Sequence, residues 1–484
     1  MVTGGGWRAI SCLWETKVDY QRFDSLFHPS SIAMVGASPN PANSFMLNII
    51  LKYGFRGKIY PVNSSGSEVL GLKAYTSVKE IPDTVDYAYL QVPAKATVQV
   101  IQDCAAKKVK LATIFTAGFG ESGIEGGSAL EHEVMNTAIK GGVRLLGPNC
   151  MGFYYPIAQL TYAYEFPRES GPVGVLCQSG GNSMQLVRAA AYRGIRFSKV
   201  VSYGNAADIN ESDLLEYFAE DPETKVIIAY IEGVREGKQF SDILRATAMV
   251  KPVIVLKGGR NEGGAVAALS HTGSLAGSVK VWESLLKQAN TLQVHSIDEC
   301  VDVALALLFM RPPASRNAAI IGLGGGAAVL AADDCYDAGL ALPPLPEKTK
   351  HELKKITREA GKIFKNPIDL SDMYSFPDQV AHSIKVVGGW KGADLLITHF
   401  GLEVGPTIIG LKKVVPLAEA VLGAVKEVGK PTAMVVYAAY SDDASQGFLK
   451  VQRMCAEAGL PFYPSVPRAI SAIGKVMNYY QRSL

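Results

Sequence analysis

Short apolar, β-branched runs alternate with longer stretches of helical period along almost the whole chain, and no other feature restricts the fold as much. "SIAMVGAS", "GKIYPVN", "VDYAYLQV", "LATIFTAG" and "VRLLGPN" each read as a buried strand closed by a Gly, Pro or Asn turn. Helix-period stretches such as 95–108 and 127–141 lie between some of them. Apolar strands separated by helices predict parallel sheets covered on both faces, since a helical crossover is the usual way back to a parallel neighbour.

The pattern breaks at "EFPRESGPV" (165–173) and restarts with "VGVLCQ", "SKVVSYG", "KVIIAYIEG" and "PVIVLKGG". A second break, "RPPASRN" (311–317), precedes "AAIIGLGG", "ADLLITHF" and "TAMVVYAAY". Three α/β domains of roughly 150 residues each are expected. A chain of 484 residues with 48% hydrophobic content can bury cores of that size.

Charge and cysteines exclude several classes of function. The 48 basic and 45 acidic residues leave a net charge of +3 with no basic stripe or acidic block, so neither nucleic acid nor a membrane surface is an expected partner. Seven cysteines without a CxxC spacing read as reduced thiols of a cytoplasmic protein. The N-terminal stretch lacks a signal-peptide apolar core, and "CVDVALALLFM" stops before Arg311, too short to span a bilayer.

The second and third domains open alike. "VGVLCQSGGNSMQLVRAA" and "AAIIGLGGGAAVLAAD" are each a strand, a glycine turn and a helix. They place helix N-termini near Ser179, Gly180 and Gly181 and near Gly324, Gly325 and Gly326. Unsatisfied backbone donors and the helix dipole make such ends attractive to phosphate. In the first domain the turns holding Gly36, Ala37 and Ser38, Val62 and Asn63, Val92 and Pro93, Thr116, Ala117 and Gly118, and Asn149 and Cys150 follow successive strands. Ligands of doubly wound sheets bind at those carboxyl ends.

Other motifs resolve less favourably. "GLGGGA" (322–327) satisfies the dinucleotide fingerprint, but the acidic residue expected about 20 positions later falls in "LPPLPEK" rather than at a strand end. "GVREGKQF" (233–240) and "GAVKEVGKP" (423–431) have the wrong spacing for a P-loop and lack its Ser or Thr, and read as turns or helix ends. His271 stands in "ALSHTGSLAGS", a loop of small residues without a Cys or second His at metal-ligand spacing, so no metal site is expected.

Seven segments in order, "LFHPSSIAMVGAS", "GKIYPVNSSGSEVLGLKAYTSV", "LLGPNCMGF", "CQSGGN", "YIEG", "KPVIVLKGGR" and "SHTGSLAGS", resemble the NDP-forming acyl-CoA synthetase superfamily, from about residue 24 to the end. The resemblance implies an α-type subunit with a Rossmann-like CoA-binding domain (24–166) after an N-terminal extension (1–23). Two flavodoxin-like ligase domains (167–312 and 313–484) would follow, all three doubly wound. It implies that His271 carries a phosphoryl group from an acyl phosphate to a nucleoside diphosphate, a task suited to imidazole near neutral pH. Glu232, in "YIEG", matches the glutamate that orients the imidazole, and the two glycine-turn helices would cradle its phosphoryl group.

Coenzyme A is the implied ligand of the first-domain turns, with Cys150 a buried small residue near its thiol. Ser64 and Ser65 stand where related sequences often carry Lys, so a cation for a CoA phosphate is expected from elsewhere, for example Lys52 or Lys73. No segment resembles the ATP-grasp domain, so ADP/ATP and Mg are expected on a separate β-type subunit of a heteromer with paired copies. The expected reaction is acyl-CoA + phosphate + ADP ⇌ acid + CoA + ATP. The alternatives are a non-catalytic CoA- or acyl-CoA-binding regulatory protein and, on "GLGGGA" alone, a nicotinamide-dependent oxidoreductase. The acyl group and the choice of ADP or GDP stay open.

Overall fold

The structure, a computed structural model, describes residues 19–40, 44–261, 263–264, 278–322, 324–356, 364–370, 376–404, 407–408, 411–437 and 441–482. The chain divides into two compact units. One comprises Met1–Ser183, Phe197–Lys251 and Gly258–Trp282, the other Met184–Arg196, Pro252–Lys257 and Glu283–Leu484.

In the first unit, β1 (Ser31–Val35), β2 (Lys58–Val62), β3 (Tyr87–Leu90), β4 (Leu111–Ile114) and β5 (Arg144–Leu146) form a parallel sheet in the order β2-β1-β3-β4-β5. Every residue of β1, β3 and β4 is buried, as continuous apolar runs require. Helices α1 (Phe45–Tyr53), α2 (Thr97–Lys107) and α3 (Gly127–Gly141) accompany these strands. Val35, Val62, Leu90 and Ile114 pack with Ile101 of α2 and Val134 of α3 in one core. The chain leaves β1 for β2 on one side and returns to β3 on the other, so β1 and β3 flank a topological switch point.

The same unit holds β6 (Gly152–Tyr154), β7 (Ser170–Cys177), β8 (Phe197–Ser202) and β9 (Val226–Ile231), in the order β9-β7-β8-β6. β7 pairs parallel with both β8 and β9, and β6 pairs antiparallel with β8. β7 therefore makes a second switch point, and α4 (Gly180–Tyr192) starts just past its end. α5 (Glu211–Glu220) begins in a capping box formed by Asn210 and Asp213, and α6 (Gly237–Val250) follows β9. A short helix, Tyr20–Asp24, docks on α5: Tyr20 stacks on Tyr217 at 5.4 Å and the Tyr217 hydroxyl donates to Asp24 at 2.6 Å.

In the second unit, β10 (Val253–Lys257) pairs parallel with β11 (Leu292–Val294), and α7 (Ile297–Phe309) follows. β12 (Ala318–Ile321) leads into α8 (Gly325–Asp337), and α9 (Pro377–Gly388) precedes β13 (Leu395–Phe400). After a small antiparallel pair, β14 (Glu403–Val404) and β15 (Thr407–Ile408), come α10 (Leu411–Val428), β16 (Thr432–Val436), α11 (Asp442–Glu457), β17 (Phe462–Tyr463) and α12 (Val466–Arg482). β12, β13, β16 and β17 pair in that order, all parallel, and a bridge to Ile368 lies on the other side of β12.

The twelve strand segments anticipated from sequence all occur. β6, β11, β14, β15 and β17 escape it because two or three residues carry no readable period. Both P-loop lookalikes are helix boundaries: 233–240 runs into α6, and 423–431 spans the end of α10. Among the described residues no helix is long and apolar enough to cross a membrane.

One buried charge cluster ties the second unit together. Asp302 of α7, its side chain 4% exposed, accepts from Arg193 at 2.5 Å and from Arg468 of α12 at 2.6 and 3.0 Å. Arg193 also donates to the Phe462 carbonyl at 2.6 Å. Removing the carboxylate strands two guanidinium groups with only partial solvation. Asp302→Ala is therefore expected to cost about 3–5 kcal/mol, measured as a fall in the urea midpoint at unchanged slope. A cost below about 1 kcal/mol would mean that solvent replaces the carboxylate, as at an exposed pair.

Candidate functional site

A cavity of about 860 Å³ opens at the carboxyl ends of both switch points in the first unit. Gly36 and Ser38 after β1, Val92 and Pro93 after β3, Thr116 and Ala117 after β4, and Asn149 and Cys150 after β5 line it. Ser179, Gly180 and Gly181, at the start of α4, complete it. Residues anticipated separately as a ligand crevice and a phosphate cradle thus share one wall. A neighbouring cavity of about 640 Å³ shares Gly36, Ser38, Val92 and Pro93 and adds Ala37, Val62 and Asn63. Gly118 lines neither cavity, and its N–H donates to Glu121 at 2.7 Å.

Local geometry explains several of these residue types. Gly36 has φ +91°, and a Cβ there would stand 2.3 Å from the Gln91 carbonyl oxygen, so the β1 turn meets the β3 turn only with glycine. The Thr116 hydroxyl donates to the Val92 carbonyl at 2.6 Å, pinning the next pair of loops. Asn149 adopts φ +57°, a left-handed conformation that Asn tolerates better than most residues, and its N–H reaches the Thr116 carbonyl at 3.1 Å. Cys150 is buried with its thiol pushed up to about 12 by desolvation, and its Sγ donates to the Leu146 carbonyl at 3.4 Å. Its thiol therefore stays protonated near neutral pH.

The side chain of Asn63 folds its own loop, accepting from the Ser65 and Ser67 N–H groups at 3.2 Å each. Neither lysine considered as a phosphate partner lines either of these two cavities: Lys52 lies over the Tyr164 ring at 5.5 Å and Lys73 over the Tyr75 ring at 5.4 Å. Both ammonium groups instead cover aromatic faces, where an exposed cation keeps its hydration. The charged group in the wall of the second cavity is Asp103, with Lys79 Nζ 3.7 Å from it.

At the second switch point, Glu232 sits just past β9 and is only 6% exposed, so it is not a solvated terminal acid. Gln178, just past β7, accepts from the Glu232 and Gly233 N–H groups at 2.7 and 3.2 Å. The Tyr230 hydroxyl donates to the Glu232 carboxylate at 3.1 Å. A Cβ on Gly258 would fall 2.8 Å from that hydroxyl and 3.1 Å from Glu232 Cγ, so this glycine makes room for the pair. At the helix start, Ser179 Oγ accepts from the Asn182 N–H at 3.3 Å. Gly180 packs against Met151, and a Cβ on Gly181 would find only Ser179 Oγ, at 4.0 Å. Cys177 is held protonated, its thiol pushed up to about 12 by burial.

Gln178, Tyr230, Gly258, Phe45, Phe115 and Met151 were missed as site residues. Gln178 stands inside a motif read only for its glycines, and the others have no local signature. The second glycine turn lies in the other unit, where Gly324 caps α8 and Gly325 and Gly326 have open space where a Cβ would be. His399, also missed, is buried at the end of β13 with its ring 4.4 Å from that of Tyr437. Burial pushes its imidazole down to about 4, opposed by a hydrogen bond to the Gly322 backbone. His271 lies outside the described residues. Among those described, no group of three His, Cys, Asp or Glu side chains is arranged to hold a metal ion.

The crevice at one switch point thus merges with the helix end at the next, and Gln178 in its wall bonds the backbone of the buried Glu232. Residues 30–156 match the family described as CoA binding domain, and residues 170–307 the succinyl-CoA ligase like flavodoxin domain. The α subunit of ADP-forming acetate–CoA ligase I from Pyrococcus furiosus is 38% identical over 94% of this chain and 97% of its own length. ADP-forming acetate–CoA ligase I from Archaeoglobus fulgidus is 35% identical over 94% of this chain, which covers 63% of that protein. The solved dinucleotide-forming acetyl-coenzyme A synthetase 1 of Ca. Korarchaeum cryptofilum, in complex with phosphate and ADP, superposes with a TM-score of 0.82 at 34% identity, covering 95% of this chain and 97% of that one. The chain belongs to the ADP-forming acyl-CoA synthetase family and matches its α-type subunits over nearly their whole length.

Two substitutions test the site. Gly36→Ala forces a strained backbone into the Gln91 carbonyl and is expected to weaken CoA binding about ten- to a hundredfold, the equivalent of about 1–3 kcal/mol of strain. An unchanged Kd by calorimetry would place CoA elsewhere. Glu232→Gln keeps shape and removes charge, and should lower turnover by about 10²- to 10⁴-fold. A loss below threefold would show that the Glu232 charge takes no part in turnover.

Proposed function

We propose that this chain performs the CoA and phosphohistidine half-reactions of the overall conversion acyl-CoA + phosphate + ADP ⇌ acid + CoA + ATP. The observation that carries this reading is the single cavity lined both by the turns after β1, β3, β4 and β5 and by the N-terminus of α4. A thioester held by the turns and a phosphate held by the helix end would meet in one space. Phosphate attacks the acyl carbon, the C–S bond breaks, and CoA leaves as the thiol. An imidazole nitrogen of His271 then attacks phosphorus, the acid departs, and the phosphoryl group passes to ADP.

In this scheme the free N–H groups at the start of α4 stabilise the anionic phosphate. Glu232, held by Gln178 and Tyr230, orients the His271 imidazole and balances the charge that develops on it. The glycine turn Gly324–Gly326 offers a second helix end of the same kind, as a further station for the phosphoryl group. We assign the chain three domains, 24–166, 167–312 and 313–484, after an extension 1–23. Nucleotide and Mg would bind on an ATP-grasp β-type subunit in a heteromer with paired copies. The Archaeoglobus protein, longer than this chain, supports such a division of labour. The six described cysteines are all buried free thiols, in keeping with a reducing cytoplasmic setting.

His271→Asn should abolish labelling of the chain by radioactive phosphate plus an acyl-CoA, and the label on the unaltered chain should be acid-labile and map to residues 268–278. Labelling that persists in the variant would overturn the phosphohistidine assignment. Calorimetry on the isolated chain should give heat with CoA and none with Mg·ADP. Micromolar ADP binding without a partner would overturn the division of labour.

A further inference from the structure

The loop after β4 is held by a polar cluster that reaches from the CoA turns to the segment carrying Glu232. Glu121 Oε1 accepts from the Gly118 and Phe119 N–H groups at 2.7 and 3.3 Å, and Glu131 Oε2 accepts from Gly120 N–H at 3.3 Å. A single amide nitrogen, Asn205 Nδ2, donates to Glu121 at 2.5 Å and to Glu131 at 3.0 Å. Arg235, three residues beyond Glu232, donates to Glu131 and to the Asn205 carbonyl, each at 3.0 Å. Asn205 is 5% and Glu131 8% exposed.

The position of Asn205 is itself fixed by the β5 turn. Its N–H donates to the Pro148 carbonyl at 3.0 Å. A Cβ on the preceding Gly204 would stand 2.2 Å from that oxygen. Two carboxylates and one guanidinium thus close around an amide that touches three loops: 116–122, 147–150 and 203–206. Two carboxylates this close repel unless donors lie between them, and the amide hydrogens occupy that place.

We propose that Asn205 is a positioning residue, which through Glu121, Glu131 and Arg235 sets the thioester-binding turn after β4 in register with Glu232. This inference rests on the reading of the cavity as the site of thioester phosphorolysis. The amide is required rather than another polar group because both carboxylates need a donor from the same atom. Asn205→Asp keeps the shape and replaces the donor with a third carboxylate, which drives the loop out of place. Misplacement of about an ångström costs a positioned reaction about a hundredfold.

Two labelling reactions on the unfractionated full chain separate positioning from general damage. Labelling by acetyl-CoA or phenylacetyl-CoA with radioactive phosphate needs the thioester turn. Labelling by radioactive acetyl phosphate needs His271 but no CoA. Asn205→Asp should cut the first about a hundredfold and leave the second within about threefold, less than the tenfold of a single hydrogen-bond energy. Glu121→Gln added to that variant returns an amide donor between the carboxylates and should recover at least about tenfold of the loss. Equal loss of both labels, an intact first label, or no recovery in the double variant would overturn the proposal. Should Asn205→Asp fail to fold, Glu121→Gln alone should show the same split at about tenfold. An unaltered chain that takes label from neither donor would instead overturn the proposed function.

Discussion

Two neighbouring parallel strands whose connections leave to opposite sides cannot be covered at their carboxyl ends, because each crossover helix draws its loop away from that point. The pairs β1/β3 and β7/β9 have this property. The crevices they leave fall in one cavity, lined by the turns after β1, β3, β4 and β5 and the start of α4, while Ala37, Val62 and Asn63 line its neighbour and Gly118 lines neither. Gly36 shows how tight the constraint is: the turns after β1 and β3 approach so closely that a single methyl group would overlap a carbonyl oxygen.

Charge at this site is handled by burial and donors rather than by cations. Glu232 is enclosed by Gln178, Tyr230 and Gly258, so its carboxylate is oriented before any partner arrives. The thiols of Cys150 and Cys177, pushed up by desolvation, stay protonated and do not compete as nucleophiles. The described residues lining the main cavity carry no ionisable acid or base other than Cys150, which leaves backbone N–H groups and neutral hydroxyl and amide side chains to meet anionic oxygen. Dipoles that are fixed in advance need no reorganisation as charge develops, an advantage over mobile side chains.

The turns and the strands were readable because they depend on local signals. Apolar runs ending in Gly, Pro or Asn mark β1, β3 and β7, and Gly180 and Gly181 mark the start of α4 whatever surrounds them. Gln178 was hidden because nothing local distinguishes a glutamine that caps a neighbouring strand from one that faces solvent. The surroundings of Lys52 and Lys73 were hidden too, since proximity in sequence to a turn says nothing about which aromatic face a long side chain covers.

The sequence by itself determined the parallel α/β class and the Gly, Pro and Asn turns that close the strands. These follow from period, turn residues and motif, all of which act within a few residues. Tertiary structure alone decided that the first-domain turns and the α4 end share one cavity, that Glu232 is buried, and that Asn205 joins two carboxylates from α3 and the β4 loop. Each of those facts depends on which strand lies beside which. Strand order is set by packing of whole layers, a global balance that no short stretch of chain contains.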